Sequence, residues 1–412
     1  MYPNINLLLL KQMSSCKQSP KVKIKRSIHY WLTLSLSALP LTVTADEFDT
    51  IQFSTSINRA YDDNLFRVKN NQSSDQITTS TAGVKLDKTY SLQRFIVDVS
   101  YVDYKYQTND FLDFEALNYD AKWLWSLTPS LTGSLTTSRN KTLNGFSDFR
   151  SFTQNIRTID ISQFRAEYSP YKVWALIGGL TETDVTNSQT FNAIAEYNST
   201  AFDYGARYSF ASGSNLSFLG HKRNGQFDRA LNSFSLFDNG FSENEYELDF
   251  VLKATGKSNL SSKLAHLSRD YDNFTVRNYD VWIGYIKYDL LLTGKIRANL
   301  DLTRTASPFE TNYSTYSVTD SANIGLSYLF SDKITFMLNG RLAQRDFRQG
   351  ITPGLANRSD DEQSVSGSVT WRPIKNIGFT LSSIKSSRNA SSAFNNFDYD
   401  DLTTSLMVDL KI

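Results

Sequence analysis

From Phe48 to the last residue, apolar and polar side chains alternate with a period of two in one stretch after another. Leu117, Tyr119, Ala121, Trp123, Trp125 and Leu127 alternate with Asn118, Asp120 and Lys122. Tyr246, Leu248, Phe250, Leu252 and Ala254 alternate with Glu245, Glu247 and Asp249. Ile296, Ala298, Leu300 and Leu302 alternate with Arg297, Asn299 and Asp301. A period of two is the signature of a strand. Charges at every second position cannot sit inside a sandwich core, so each strand has one face fit for lipid and one fit for water. The last strand keeps the pattern to its end, through Leu402, Thr404, Leu406, Val408, Leu410 and Ile412.

The connections alternate in length as well. Short turns fall at 87–92, 128–130, 169–172, 211–215, 255–258, 292–295, 331–333 and 372–376. Longer polar loops fall between them, near 60–75, 107–113, 140–155, 184–195, 224–242, 270–278, 305–315, 345–361 and 389–398. Eight turns and nine loops join about eighteen antiparallel strands, roughly sixteen to twenty given the uncertainty of strand edges. The expected fold is therefore all-β: a transmembrane up-and-down antiparallel β-barrel with short periplasmic turns, long extracellular loops and both termini on the periplasmic side. Pro129, Pro170, Pro308, Pro353 and Pro373 all read as turn or loop residues, as a hydrogen-bonded ladder requires. Trp125, Tyr168, Phe210, Tyr288, Phe330 and Trp371 each precede a short turn, where an interfacial aromatic girdle belongs.

Composition reinforces this reading. Mean hydropathy is −0.37, which alone would describe a soluble protein, yet aromatic residues make up 13% of the chain, with 22 Tyr and 27 Phe. At the front, the basic run 21–26 precedes an apolar stretch from Ile28 to Val43 and the small residues of Val43-Thr44-Ala45. That is the layout of a secretory signal cut after Ala45. Residues 1–45 are thus an N-terminal extension and cleaved leader, and residues 46–412 form a single barrel domain. Removing the leader takes six bases and no acid, leaving 37 bases against 42 acids. Nothing in that balance favours nucleic acid. The single cysteine, Cys16, leaves with the leader, so disulfides and thiolate metal sites are excluded.

A barrel of this size encloses an aqueous channel unless something plugs it, and the first strand begins too close to Asp46 for a globular plug. Strand phase assigns the lumen Asp98, Asp120, Lys122, Arg157, Arg165, Glu167, Asp203, Arg207, Glu245, Glu247, Asp249, Lys287, Asp289, Arg297, Asp301, Arg341 and Asp409. Such mixed charge could guide a polar chain of sugars, with inward Tyr104 and Tyr285 stacking on the rings. The plainer account is that the charges pair and hydrate the wall. His221 and His266 read as strand-end residues, with no motif joining either to a nucleophile, and no catalytic, cofactor or metal site is expected. The acidic runs Asp360-Asp361-Glu362 and 398–401 read as solvated loop charge.

Phe48–Val68 carries an early strand running into Tyr61-Asp62-Asp63-Asn64-Leu65-Phe66-Arg67. With Trp371-Arg372-Pro373 and Ser386-Ser387-Arg388-Asn389 near the other end, this resembles the EpsL-like barrels of exopolysaccharide loci, within the putative β-barrel porin 2 group. The resemblance implies a bacterial outer-membrane channel that exports exopolysaccharide beside periplasmic and inner-membrane export components. It supplies no catalytic residues. The alternative is a general diffusion porin for small hydrophilic solutes, and an outer-membrane enzyme or adhesin comes third. Either channel would contact outer-membrane lipid and depend on barrel-assembly machinery. The alternating final strand is similar to the signal that machinery reads, although Ile412 stands where Phe or Trp is usual.

Overall fold

The computed structural model describes residues 50–149, 152–189, 196–229, 237–352 and 357–412. The proposed leader lies outside them, as does Pro353. Eighteen strands form one sheet: β1 (Ile51–Asp62), β2 (Asp75–Tyr90), β3 (Gln93–Tyr106), β4 (Phe114–Thr128), β5 (Leu131–Leu143) and β6 (Ile156–Tyr168). These are followed by β7 (Trp174–Asn187), β8 (Tyr197–Ser209), β9 (Asn215–Phe227), β10 (Gly240–Thr255), β11 (Ser258–Tyr271) and β12 (Tyr279–Leu291). The series ends with β13 (Ile296–Pro308), β14 (Tyr316–Ser331), β15 (Ile334–Arg348), β16 (Ser359–Ile374), β17 (Ile377–Ala390) and β18 (Tyr399–Lys411). Each strand pairs antiparallel with its sequence neighbours, and β18 returns to pair with β1 from Ser54↔Lys411 to Asp62↔Thr403. The sheet closes on itself, so that every strand has a partner on both sides, which is how a β-structure can satisfy its backbone in lipid.

Side-chain phase sets the two faces. Paired residues in antiparallel strands point the same way. The row Phe95, Trp123, Leu135, Phe164, Leu180 and Phe202 therefore runs around one side of the wall without a break. All six are exposed. Large exposed apolar side chains would be an aggregation hazard in water and are a requirement in a bilayer. The opposite face carries Ser, Thr, Asn and charge. On β16 to β18, Thr370 bonds Thr380 at 3.0 Å and Ser382 bonds Ser405 at 2.8 Å.

The short turns are built by hydroxyl side chains. Oγ1 of Thr128 accepts from the N–H groups of Ser130 and Leu131, and Oγ1 of Thr293 accepts from Lys295 and Ile296. Each hydroxyl satisfies turn donors that no strand can reach. Four of these hairpins also slip register just before the turn, at Ser126/Thr128, Lys253/Thr255, Leu329/Ser331 and Trp371/Ile374. The last slip corrects the expectation for Pro373, which lies inside β16 and not in a turn. A bulge leaves it unpaired, so its missing N–H costs nothing. Pro308 is likewise the final residue of β13, opposite Tyr316.

At the other end the strands run further into the connections than the sequence suggested. Arg345, Asp360 and Glu362 belong to β15 and β16. His221 is mid-strand in β9, and His266 lies well inside β11. Neither is the strand-end residue expected, because the strands continue beyond the apolar belt that guided the estimate.

Candidate functional site

The pairing register places all seventeen expected lumen residues on the face opposite the apolar row. Asp98 lies across from Asp120, Asp203 from His221, Lys287 from Asp301 and Arg341 from Asn323. Tyr104 and Tyr285 share that face. The structure draws only some of these residues together. Glu167 takes Arg207 at 2.6 Å and Arg165 at 3.4 Å, while Asp120 takes Lys122 at 3.2 Å. Glu245 bonds Lys263 at 2.6 Å, Glu247 also contacts Lys263, and Asp409 pairs with Arg372 at 3.1 Å. Lys287 lies over the Tyr285 ring at 4.9 Å, and Arg157 reaches Asn187 at 3.5 Å. Asp98, Asp289, Arg297 and Asp301 join no ion pair among the described residues.

Several partners were not anticipated. His221 stands on the wall between Asp203, 2.6 Å from Nδ1, and Glu247, 3.3 Å from Nε2. Carboxylates occupy both ring nitrogens, so neither is left to act as a base. Above it, Glu243 is shared by Arg223 and Arg269, and the Arg269 guanidinium lies over the Phe241 ring at 4.0 Å. Period-two phase could have placed all of these inward.

The decisive feature lies in the loop between β5 and β6, described at 144–149 and 152–155. Its tip turns into the mouth, and Asp148 meets three guanidiniums from the far side of the ring. Arg345 of β15 bonds Oδ2 at 2.8 Å, while Arg358 and Arg388 of β17 bond Oδ1 at 3.0 and 2.9 Å. Arg388 also donates to the Ser147 carbonyl at 3.0 Å. Counted the shorter way around the barrel, these partners lie six to eight strands from β5, so the loop spans the opening. Asp360 and Glu362 complete the charge balance: Arg358 bonds Asp360 at 2.6 Å and Arg388 bonds Glu362 at 2.5 Å. Asp360 and Arg358 are fully buried. This overturns the reading of Asp360 and Glu362 as solvated loop charge, because the arginines supply the compensation that burial demands, while Asp361 between them is exposed.

Aromatic packing holds the same loop from its own side. Phe146 joins Leu65, Tyr106 and Leu112 in a buried cluster, and Phe66 meets Phe146 and Phe152 edge-on at 4.9 and 5.1 Å. Phe149 approaches Phe309 of the β13–β14 loop at 6.3 Å. On another arc, Glu310 of that loop binds Arg229 at 2.6 Å and the Tyr271 hydroxyl at 3.1 Å. The mouth is thus narrowed by loops locked to one another, and charged lumen walls lie below it.

Burial pushes the Asp148 carboxyl up, but Arg345, Arg388 and Arg358 together outweigh burial and hold it well below the usual carboxylate range. The sign follows from linkage. A group whose pKa is depressed in the docked state stabilises docking above its undocked pKa, and that contribution is lost only as pH falls through the docked value. An undocked aspartate titrates near about 3.9. Channel conductance is therefore expected to stay flat from neutral pH down to about 4 and to rise only in stronger acid. A bilayer recording across that range checks this, and a rise between neutrality and mild acid would count against the latch.

The architecture defines a closed, eighteen-strand antiparallel barrel with a lipid-facing belt and a charged interior. No protein-family model matches the sequence, and no curated protein matches it either. Solved structures do. OccK2 (OpdF) of Pseudomonas aeruginosa, in complex with glucuronate, is 12% identical over 88% of this chain and 98% of its own, with a TM-score of 0.50. OccK9 (OpdG) of the same organism is 13% identical over the same shares, also at 0.50. At these identities the likeness establishes the fold alone.

Proposed function

We propose that this protein is an outer-membrane porin that passes small hydrophilic solutes. The observation that carries the reading is the β5–β6 loop stretched across the mouth and latched through Asp148 to Arg345, Arg358 and Arg388. A loop folded inward reduces a wide cylinder to a passage that selects by size and charge, whereas a path for a long polymer needs a mouth that stays clear. The exopolysaccharide-export role implied by the EpsL-like resemblance therefore gives way to the alternative that the sequence already offered. A barrel of like fold that holds glucuronate supports the small-solute reading by analogy of fold only. The apolar belt supports insertion in the outer membrane, after secretion by a leader cut following Ala45.

Planar bilayers test the reading. Purified protein is expected to give discrete, ohmic single-channel steps, smaller than an unobstructed eighteen-strand cylinder would pass. Protein that inserts, as judged by heat-shifted electrophoretic mobility, and yet gives no steps at all would refute it.

A further inference from the structure

The ladder between β12 and β13 is the shortest in the barrel. It runs from Leu291↔Arg297 up to Gly284↔Arg304 and stops there. Above it, 279–283 still pair with β11, and 305–308 still pair with β14, but the two segments do not pair with each other. A side chain patches the gap: Arg304 Nε donates to the Trp282 carbonyl at 3.1 Å. The β4–β5 ladder also stops early, but there Asn118 and Lys141 reach across to backbone partners on the opposing strand.

The packing above the break is out of phase. By register, Tyr279 and Val281 point inward, whereas Tyr316 and Val318 point outward. Yet all four share one buried cluster, and the rings of Tyr279 and Tyr316 stack at 4.1 Å. Inward and outward side chains can meet only if the tops of β13 and β14 pass inside β12. At this height the wall is two overlapping edges held by side-chain packing, not by a backbone ladder.

A cavity of about 810 Å3 lies at the foot of this overlap, where Tyr285 is still paired with Thr303 and Gly284 with Arg304, and residues of both faces line it. Leu264, Trp282 and Leu302 come from the lipid side, while Lys263, Tyr285 and Thr303 come from the lumen side. The three lipid-side residues are all exposed and continuous with the apolar belt. On its outer side the slit carries Leu264, Trp282, Leu302 and Leu342 together with the Arg304–Asp320 ion pair, and such a lining suits a molecule with a hydrocarbon tail and a polar head. In a bilayer such a slit does not stay empty, because unpaired backbone there must find a partner or be covered.

We propose that the overlap of β12 and β13 is a lateral portal that admits the hydrocarbon chain of a single-tailed amphipath, such as a fatty acid, from the bilayer to the lumen wall. This goes beyond the small-solute reading and depends only on the barrel. The test places a benzophenone amino acid at Tyr285, on the lumen side, in the full chain reconstituted with phosphatidylcholine vesicles containing radiolabelled palmitate. The same probe at Tyr104, inward but away from the seam, is the background control, and the probe at Trp282 reports the lipid side. Light-driven labelling at 285 is expected well above that at 104. Filling the slit from outside by Ala322→Trp should lower it about tenfold, the change that a loss of about 1.4 kcal/mol brings. Leu342→Trp serves if the first variant does not fold. Labelling at 282 with none above background at 285 would overturn the portal, leaving an ordinary lipid contact. Labelling at 285 that the filled variants do not lower would overturn it as well.

Discussion

Replacing Asp148 with asparagine is expected to open the mouth, giving a larger and noisier single-channel conductance. The carboxylate is the only acidic group the loop tip offers to Arg345, Arg358 and Arg388, and those guanidiniums are largely or wholly buried. Removing one member of a buried charge cluster costs about 3–5 kcal/mol, because the partners are left uncompensated. At about 1.4 kcal/mol per tenfold, the undocked loop becomes roughly a hundred to a few thousand times more populated. The barrel itself should be spared, since Asp360 and Glu362 continue to serve Arg358 and Arg388 and the ladders are untouched. Unchanged conductance and noise in Asp148→Asn, with folding intact, would mean that the loop does not control the passage.

The second large effect separates the two faces of one strand. Ile324 and Asn323 are neighbours on β14. Ile324 lies in the outward row with Leu300 and Gly340, and it is 58% exposed. Asn323 faces Asp301 and Arg341 inside. Ile324→Arg puts a cation in hydrocarbon, at a cost of about 2–4 kcal/mol near the bilayer midplane. Asn323→Arg puts the same cation in a wet, charged lumen, where Asp301 can receive it, and should change stability by less than about 1 kcal/mol. Urea titration of both variants in vesicles compares the two directly. Equal costs would mean that the faces are wrongly assigned.

Residue phase made most of the barrel legible. Glu245, Glu247 and Asp249 against Tyr246, Leu248 and Phe250 admit one solution: a strand with lipid on one side and water on the other. Turn lengths then gave the strand count, because a hairpin is a local object whose ends are a few residues apart. The mouth was not legible, for a physical reason. Asp148 stands in a polar loop that resembles its neighbours, and its partners lie between 197 and 240 residues away. No local period encodes such pairing. Asp360 and Glu362 were misread on the same ground, since a run of acids looks solvated until its arginines are located. Pro373 escaped because a bulge excuses a proline where the ladder rule forbids one. The break between β12 and β13 was not legible because 281–283, Val-Trp-Ile, is apolar in both phases and Arg304 interrupts the outward apolar row, so period two assigns neither segment a clean face there.

The account's central claim is a passage for small solutes, and proteoliposome swelling tests it most directly. Vesicles bearing the wild-type protein are exposed to an isotonic series of neutral sugars running from monosaccharides to long oligosaccharides. The account predicts rapid swelling with the smallest sugars, a steep fall as the chain lengthens and none with the longest. Swelling that is as fast with long oligosaccharides as with monosaccharides would contradict it and restore the polymer path.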